Sequence, residues 1–110
     1  MIISSNPKNS NMTHKSPSEC TNINEVRNEI DNIDKAIIEL LRQRFEYVKE
    51  VVKYKEPTPD SIQAEDRRKA VIECRGKWAE ECGLDATVIG KMYDMLIDYF
   101  IDEEMKIVNK

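Results

Sequence analysis

Residues 21–55 read TNINEVRNEIDNIDKAIIELLRQRFEYVKEVVKYK and contain neither glycine nor proline. Apolar side chains recur through this segment at alternating steps of three and four residues, as they do along one face of an α-helix. They are Ile23, Val26, Ile30, Ile33, Ile37, Leu40, Leu41, Val48 and Val51. Thr21 or Asn22 can cap the start, and Pro57 and Pro59 end the segment because a proline disfavours helix at the residue before it. The pattern predicts one very long helix.

Two shorter helices are predicted after the prolines. The second helix runs from about Gln63 to Cys82, and Gly83 suits the position just past its end. Asp85 is a suitable N-cap for the third helix. The predicted inward residues are Val71, Cys74, Trp78 and Cys82 on the second helix, and Ile89, Tyr93, Leu96, Ile97, Phe100 and Ile107 on the third. The predicted fold class is therefore all-α, with three helices of which one is very long.

Chain length and helix length together predict a dimer. The 110 residues suffice for one domain. Residues 1–19 are rich in Ser, Asn, Thr, Lys and Pro, which predicts a disordered tail before a helical domain over residues 20–110. A helix of about 33 residues is about 50 Å long, whereas a domain of this size has a radius of gyration of about 13 Å. We expect a second copy to cover the remaining apolar stripe in an intertwined, two-fold symmetric dimer.

Composition excludes several classes of function. The net charge of −4 disfavours binding to nucleic acid or to an anionic membrane surface, and no run approaches the roughly 18 apolar residues of a membrane span. The three cysteines are an odd number without a CxxC pair, and no apolar signal sequence begins the chain, which favours free thiols and a cytoplasmic location. The single histidine, His14, lies in the polar tail, so neither histidine acid–base catalysis nor a histidine metal site is expected.

Five charged residues fall on or beside the apolar stripes. Arg44 and Lys55 lie within the stripe of the long helix, and Arg27 lies at its edge. Arg67 heads the stripe of the second helix, and Glu104 interrupts that of the third. Buried charges need partners. Since the cations outnumber the carboxylates, a small anionic ligand can complete the balance in a pocket of the helical bundle.

Each of these residues also has a purely structural interpretation. The aliphatic parts of the Arg44 and Lys55 side chains can pack on the stripe while their charged groups reach solvent. Arg67 can be simply exposed after a proline-rich loop. Glu104 can lie at a fraying helix end or pair with a lysine, and Arg27 can form an ordinary ion pair with the aspartate one turn later.

Helical spacing separates these cations into two groups. Arg44 and Lys55 are about 16 Å apart along one face, so both can hold a ligand about the size of a substituted ring. Arg27 precedes Arg44 by about 25 Å of helix, too far to share that ligand. In an antiparallel dimer, Arg27 of the partner chain can enter the site instead.

This arrangement resembles the all-helical (AroQ-class) chorismate mutases, and most of all their isochorismate pyruvate-lyase-like branch. The resemblance covers about residues 19–106. It is carried by an ordered set of segments: Glu19–Thr21, Val26–Asp34, Leu41–Lys49, Tyr54–Lys55, Arg67 and Trp78–Asp85. It implies the type II chorismate mutase fold, in which three helices per chain entwine into a homodimer with two equivalent sites.

The resemblance also implies a role for each of the charged residues. Arg44 and the partner's Arg27 would bind the carboxylates of a dicarboxylate substrate, chorismate or isochorismate, and Arg67 would close over a carboxylate from the loop entering the second helix. Lys55 and Glu104 would donate hydrogen bonds to the ether oxygen that gains negative charge as its bond to carbon breaks. Lys55, Glu104 and Arg44 would be the catalytic groups, without metal or cofactor.

Three positions depart from the family pattern. Many members have glutamine where this chain has Glu104, and a carboxyl donates a hydrogen bond only when protonated, so turnover is expected to favour mildly acidic pH. Ala64 and Arg68 stand where many dedicated mutases have acidic residues. The resulting hypothesis is rearrangement of chorismate to prephenate, with isochorismate pyruvate-lyase activity giving salicylate and pyruvate as the alternative. A third and weaker alternative is a helical dimer without catalysis.

Overall fold

The computed structural model describes residues 15–109, and within this range the chain forms helices and no strands. Three long helices confirm the predicted all-α class. They are α1 (Ile23–Val51), α3 (Glu65–Glu81) and α4 (Ala86–Val108), and a short helix, α2 (Pro59–Gln63), precedes α3. Two single 3-10 turns, Pro17–Glu19 and Val52–Tyr54, flank α1. The chain divides into two compact units, one ending at Arg44 and the other beginning at Phe45, and α1 passes from the first into the second.

Polar side chains fix the start of α1, as predicted. The Asn22 Oδ1 accepts a hydrogen bond from the Glu25 amide at 2.9 Å, and the Thr21 amide donates to the Glu25 Oε1 at 2.8 Å. The first bond satisfies an amide that the first helical turn leaves without a partner, and the second joins the residue before the cap to that turn. Residues 1–14 of the predicted tail lie outside the described residues, and residues 15–19 include the first 3-10 turn.

The α-helix ends before Lys55, which corrects the predicted placement of this residue on the helical stripe. After Val51 the chain tightens into the 3-10 turn, and Lys55 follows it in an extended conformation with φ −104° and ψ 149°. The Lys55 amide donates to the Val52 carbonyl three residues earlier. The spacing of 3.6 residues per turn therefore does not extend to Lys55, and the 16 Å derived from it does not apply.

The short helix α2 lies where the sequence predicts only a helix-terminating loop. Pro59 occupies its first turn, where a missing amide costs no hydrogen bond. The Thr58 hydroxyl caps it by accepting from the Ser61 amide at 3.2 Å. The helix packs on α4, and Ile62 is only 1% exposed, so it is the most buried large side chain described.

Helix α3 packs along α4 through small residues, so its predicted inward face is partly wrong. Val71 is buried as predicted, and Cys74 is half-buried. Trp78, at 52% exposure, and Cys82 are exposed in the single chain. Gly76 and Ala79 are buried instead, because small side chains allow the two helices to approach closely.

Helix α4 begins and packs largely as predicted. The Asp85 side chain caps it by accepting from the Val88 amide at 3.0 Å. Gly83, with φ +79°, occupies the position after the C-cap of α3, in the left-handed conformation that glycine adopts without penalty. Phe100 is buried and stacks on Phe45 with ring centroids 5.3 Å apart. This stack ties the end of α1 to α4 within the second unit.

Candidate functional site

An ion pair between Lys55 and Glu104 is the central feature of the second unit. The Lys55 Nζ lies 2.9 Å from the Glu104 Oε1, although the residues are 49 positions apart in sequence. Glu104 is 5% exposed, and the Lys55 side chain is 20% exposed. An ammonium beside a buried carboxyl group compensates the desolvation that either charge would suffer alone. The structure thus joins two of the predicted site residues directly.

The backbone of α2 supplies a second acceptor for the same ammonium. The Lys55 Nζ donates to the Ile62 carbonyl at 3.1 Å. An ammonium has three N–H donors, so these two contacts use two of them and a third can serve an acceptor on a ligand. The carbonyl comes from the last turn of α2, where helix geometry leaves carbonyls without intrahelical partners.

Arg67 lies in the first turn of α3 and is exposed. The resemblance implies a position on the loop that enters this helix, and the structure corrects that position. The loop is shorter than expected because α2 takes up residues 59–63 and only Ala64 separates it from α3. The exposed side chain is consistent both with closure over a ligand and with the structural alternative of simple exposure.

Arg27 and Arg44 belong to the first unit, where both lie on α1. Arg27 is exposed, and Arg44 is half-buried. The α-helix is continuous between them, so the predicted axial separation of about 25 Å holds. One small ligand cannot span that distance.

Most of the predicted apolar stripe of α1 is uncovered in the single chain. Its exposed side chains are Ile23, Val26, Ile30, Ile33, Ile37, Leu40 and Val51, with exposures between 41% and 60%. A cavity of about 230 Å³ beside this stripe is lined by Lys15, Pro17 and Cys20 together with Val26, Glu29, Ile30 and Ile33. A row of large apolar side chains on this scale marks an interaction surface rather than ordinary solvent-facing helix.

Arg68 has a role that the sequence did not suggest. Its guanidinium donates to the Asp98 and Asp94 carboxylates of α4, with shortest distances of 2.6 and 2.8 Å. The hydrogen bonds to Asp98 and then to Asp94 raise the pKa of Arg68 above its usual range. The signal in the sequence was the pair of aspartates one helical turn apart on α4. Arg68 thus joins the first turn of α3 to α4.

A hollow of about 550 Å³ beside Arg68 is unsuited to a dianionic ligand. Three carboxylates, those of Glu65, Asp98 and Asp102, line it. Like charges repel an incoming carboxylate. The Lys55–Glu104 region, with an ammonium that keeps a free donor, is the better candidate.

Residues 15–109 contain neither a candidate membrane-spanning helix nor a candidate metal-binding cluster. None of the helices described there is long and apolar enough to cross a membrane. In the same range, no group of three or more His, Cys, Asp or Glu side chains is placed to hold a metal ion.

Comparison with known proteins gives one family match and two curated relatives. Residues 26–105 match the family model described as chorismate mutase type II. Isochorismate pyruvate lyase from Pseudomonas aeruginosa is 36% identical over 92 residues, which cover 84% of this chain and 90% of that protein. T-protein from Haemophilus influenzae is 34% identical over 67 residues, which cover 61% of this chain and 18% of that protein.

Proposed function

This chain belongs to the chorismate mutase type II family, and from that premise we propose how its residues rearrange chorismate to prephenate. The chain is an enzyme with chorismate mutase activity. The rearrangement is intramolecular: a C–O bond breaks while a C–C bond forms, and both changes occur within one molecule. Catalysis then consists of holding a compact conformer and stabilising the charge that develops on the ether oxygen.

The observation that supports this proposal most is the contact between Lys55 and Glu104. The free N–H donor of Lys55 is directed to the ether oxygen of the substrate as its bond to carbon breaks. Lysine suits such a localised charge better than arginine does. Glu104, when protonated, donates a second hydrogen bond to the same oxygen.

The arginines bind the substrate's carboxylates. Arg44 and the partner's Arg27 each present a guanidinium whose planar fork matches a carboxylate. Arg67 closes over a carboxylate from the first turn of α3. Arg27 is exposed, and about 25 Å of helix separate it from Arg44. Both observations support binding of substrate by Arg27 in the partner's site rather than in its own.

The exposed stripe of α1 supports a homodimer with two equivalent sites. Covering each large aliphatic side chain fully contributes about 1.5–3 kcal/mol, and seven of them are exposed along the stripe. A second copy offers a stripe of the same length and chemistry, as a two-fold interface requires. We also infer a cytoplasmic location, because Cys20, Cys74 and Cys82 are free thiols.

Isochorismate pyruvate-lyase activity is the second candidate. The 36% identical relative carries that name and matches over 90% of its length. Ala64 and Arg68, which replace the acidic residues of many dedicated mutases, also favour this branch. The same site would then transfer hydrogen within isochorismate and expel pyruvate, leaving salicylate.

The experiment that separates these functions is incubation of the protein with chorismate and with isochorismate in separate reactions. Prephenate from the first identifies the mutase, and salicylate with pyruvate from the second identifies the lyase. Turnover of neither substrate would favour the third alternative, a dimer without catalysis.

Lys55→Ala tests the assignment of the site. We expect kcat to fall by about 100- to 1,000-fold, as after removal of other groups that stabilise developing charge, while the variant remains folded. Lys53→Ala is the matched control, because Lys53 is an exposed lysine of the 3-10 turn just before Lys55, and in the described contacts its ammonium pairs only with Glu50. Equal activity of the two variants would contradict the assignment.

A further inference from the structure

The junction between α2 and α3 contains the one residue other than glycine with positive φ in the described chain. Ala64 has φ 45° and ψ 60°, in the left-handed region. An L-residue pays a steric penalty there, because its Cβ approaches the following carbonyl. Such residues persist where the surrounding structure imposes them, and they concentrate at functional sites.

Ala64 separates what would otherwise be one helix. Its amide donates to the Asp60 carbonyl, and its carbonyl accepts from the Arg68 amide. Ala64 is therefore both the C-cap of α2 and the N-cap of α3. In an uninterrupted α-helix the Ile62 carbonyl would accept from the amide four residues later, that of Asp66. The break at Ala64 removes that arrangement, and the Ile62 carbonyl accepts from the Lys55 ammonium instead.

The carbonyl that receives Lys55 is itself firmly placed. The Ile62 side chain is buried in the second unit, and α2 is fixed at its start by the Thr58 cap and Pro59. A lysine at a helix C-terminus is also attracted by the partial negative charge of the terminal carbonyls. Lys55 lies outside any α-helix, so regular helix geometry does not direct its side chain.

We propose that Ala64 is a positioning residue, which breaks the helix so that the Ile62 carbonyl holds the Lys55 ammonium beside Glu104. The carbonyl and the Glu104 carboxyl group then fix two of the three N–H donors, and the third is oriented for the substrate. This inference rests on the proposed function, because it assigns a purpose to the ammonium that the reaction requires.

The test compares substitutions of Ala64 that differ in their tolerance of positive φ. Glycine adopts the left-handed conformation freely, and asparagine tolerates it, whereas a β-branched residue resists it. We expect Ala64→Gly and Ala64→Asn to retain activity. Ala64→Val should lower kcat by about 100-fold with little change in KM, because a misplaced catalytic group affects the transition state more than substrate binding.

Gly83→Ala is the control, because it introduces backbone strain at a positive φ without displacing Lys55. Gly83 also has positive φ, but it lies beyond the C-terminal end of α3, about 25 Å of helix away from Ala64. Alanine there should lower the melting temperature and leave kcat unchanged. A merely structural role of Ala64 would make Ala64→Val behave in the same way, and that result would overturn the proposal.

Crystal structures of the wild type, Ala64→Gly and Ala64→Val distinguish failure of this inference from failure of the proposed function. We expect the contact between the Lys55 Nζ and the Ile62 carbonyl in the first two proteins and its loss in the third. Retention of the contact in Ala64→Val overturns the inference, whatever the activity. If the wild type turns over neither substrate, the proposed function fails, and these distances alone then decide whether Ala64 positions Lys55.

Discussion

The two units of this chain differ in where their unexpected residues lie: charged side chains are buried in the second, and an apolar stripe is exposed in the first. In the second unit the charged residues Lys55 and Glu104 are withdrawn from solvent and satisfy one another. In the first unit the apolar stripe of α1, including Ile30 and Ile33, faces solvent. Lys55 and Glu104 therefore satisfy one another within the chain, whereas the α1 stripe leaves apolar surface that a further surface can cover.

This difference separates two stages in the construction of the proposed site. The ion pair that we propose acts on the ether oxygen is formed in the single chain. In the proposed site, Arg27 binds substrate in the partner's site, so its proposed contribution depends on association. Three substitutions or titrations test the comparison, beginning with the one of largest expected effect.

A charge placed in the α1 stripe should strongly weaken the proposed dimer. Ile30→Glu puts a carboxylate at the centre of the proposed interface, where burial without a partner costs several kcal/mol. The dimer should weaken by about 100-fold or more, since 1.4 kcal/mol corresponds to a factor of ten. Activity at low protein concentration should disappear with it. Light scattering coupled to size-exclusion chromatography measures the association.

Asn28→Glu is the matched control for this prediction. It adds the same charge two residues earlier, which is about 200° around the helix and so on the opposite face. Asn28 is exposed, and the dimer should persist. If both variants remain dimeric, the stripe is not the interface and the contrast between the units loses its explanation.

The second prediction concerns the pH dependence of turnover. Glu104 donates a hydrogen bond only as the protonated acid, so its proposed role predicts that wild-type kcat falls as pH rises. Glu104→Gln has a permanent amide donor and should extend activity to higher pH by removing that loss. Profiles of kcat against pH for both proteins, with melting temperatures as a check on folding, provide the measurement. Superimposable profiles would exclude proton donation by Glu104.

The smallest expected effect lies at the capped start of α1. The Thr21 amide, the Lys15 ammonium and the Thr21 hydroxyl all bond to Glu25 and lower its pKa from 4.5 to about 2. A depressed folded-state pKa favours folding fully above the unfolded value of 4.5, and this contribution disappears as pH falls through the folded value. The cap should therefore survive to about pH 2.

Carbon-13 NMR of the Glu25 side-chain carboxyl group tests this directly. The midpoint should lie near 2, as its hydrogen bonds require. Thr21→Val removes the hydroxyl bond but keeps the amide bond, so it should raise the midpoint partway towards the ordinary value. A wild-type midpoint near 4.5 would show that the cap does not form in solution.

Local sequence signals predicted the elements that depend on neighbouring residues. The cap at Asn22, the cap at Asp85 and the left-handed Gly83 are all present, because each motif is completed within a few positions. Helix α2 was not predicted, because the prolines near it indicated the end of a helix. Proline is, however, also well suited to the first turn of a helix. The inward face of α3 was partly wrong because Gly76 and Ala79 carry little hydrophobic signal in a pattern search.

Two of the predicted site residues, Glu104 and Lys55, show the same difference between local and long-range signals. Placing Glu104 on the inner face of the third helix was correct, since that helix is regular and its period is preserved. The placement of Lys55 rested on extending a helix that in fact ends at Val51. No spacing rule predicts that a side chain outside any helix will reach a carbonyl seven residues later.

The amino-acid sequence by itself determined the helical class, the long amphipathic α1 and the set of charges that the proposed site requires, because periodicity and residue type act over a few turns. Only the tertiary structure decided that Lys55 leaves the helix, that α2 forms, and that Ile62 and Glu104 converge on one ammonium. Those contacts join residues 7 and 49 positions apart, and packing of the second unit alone brings them within hydrogen-bonding distance.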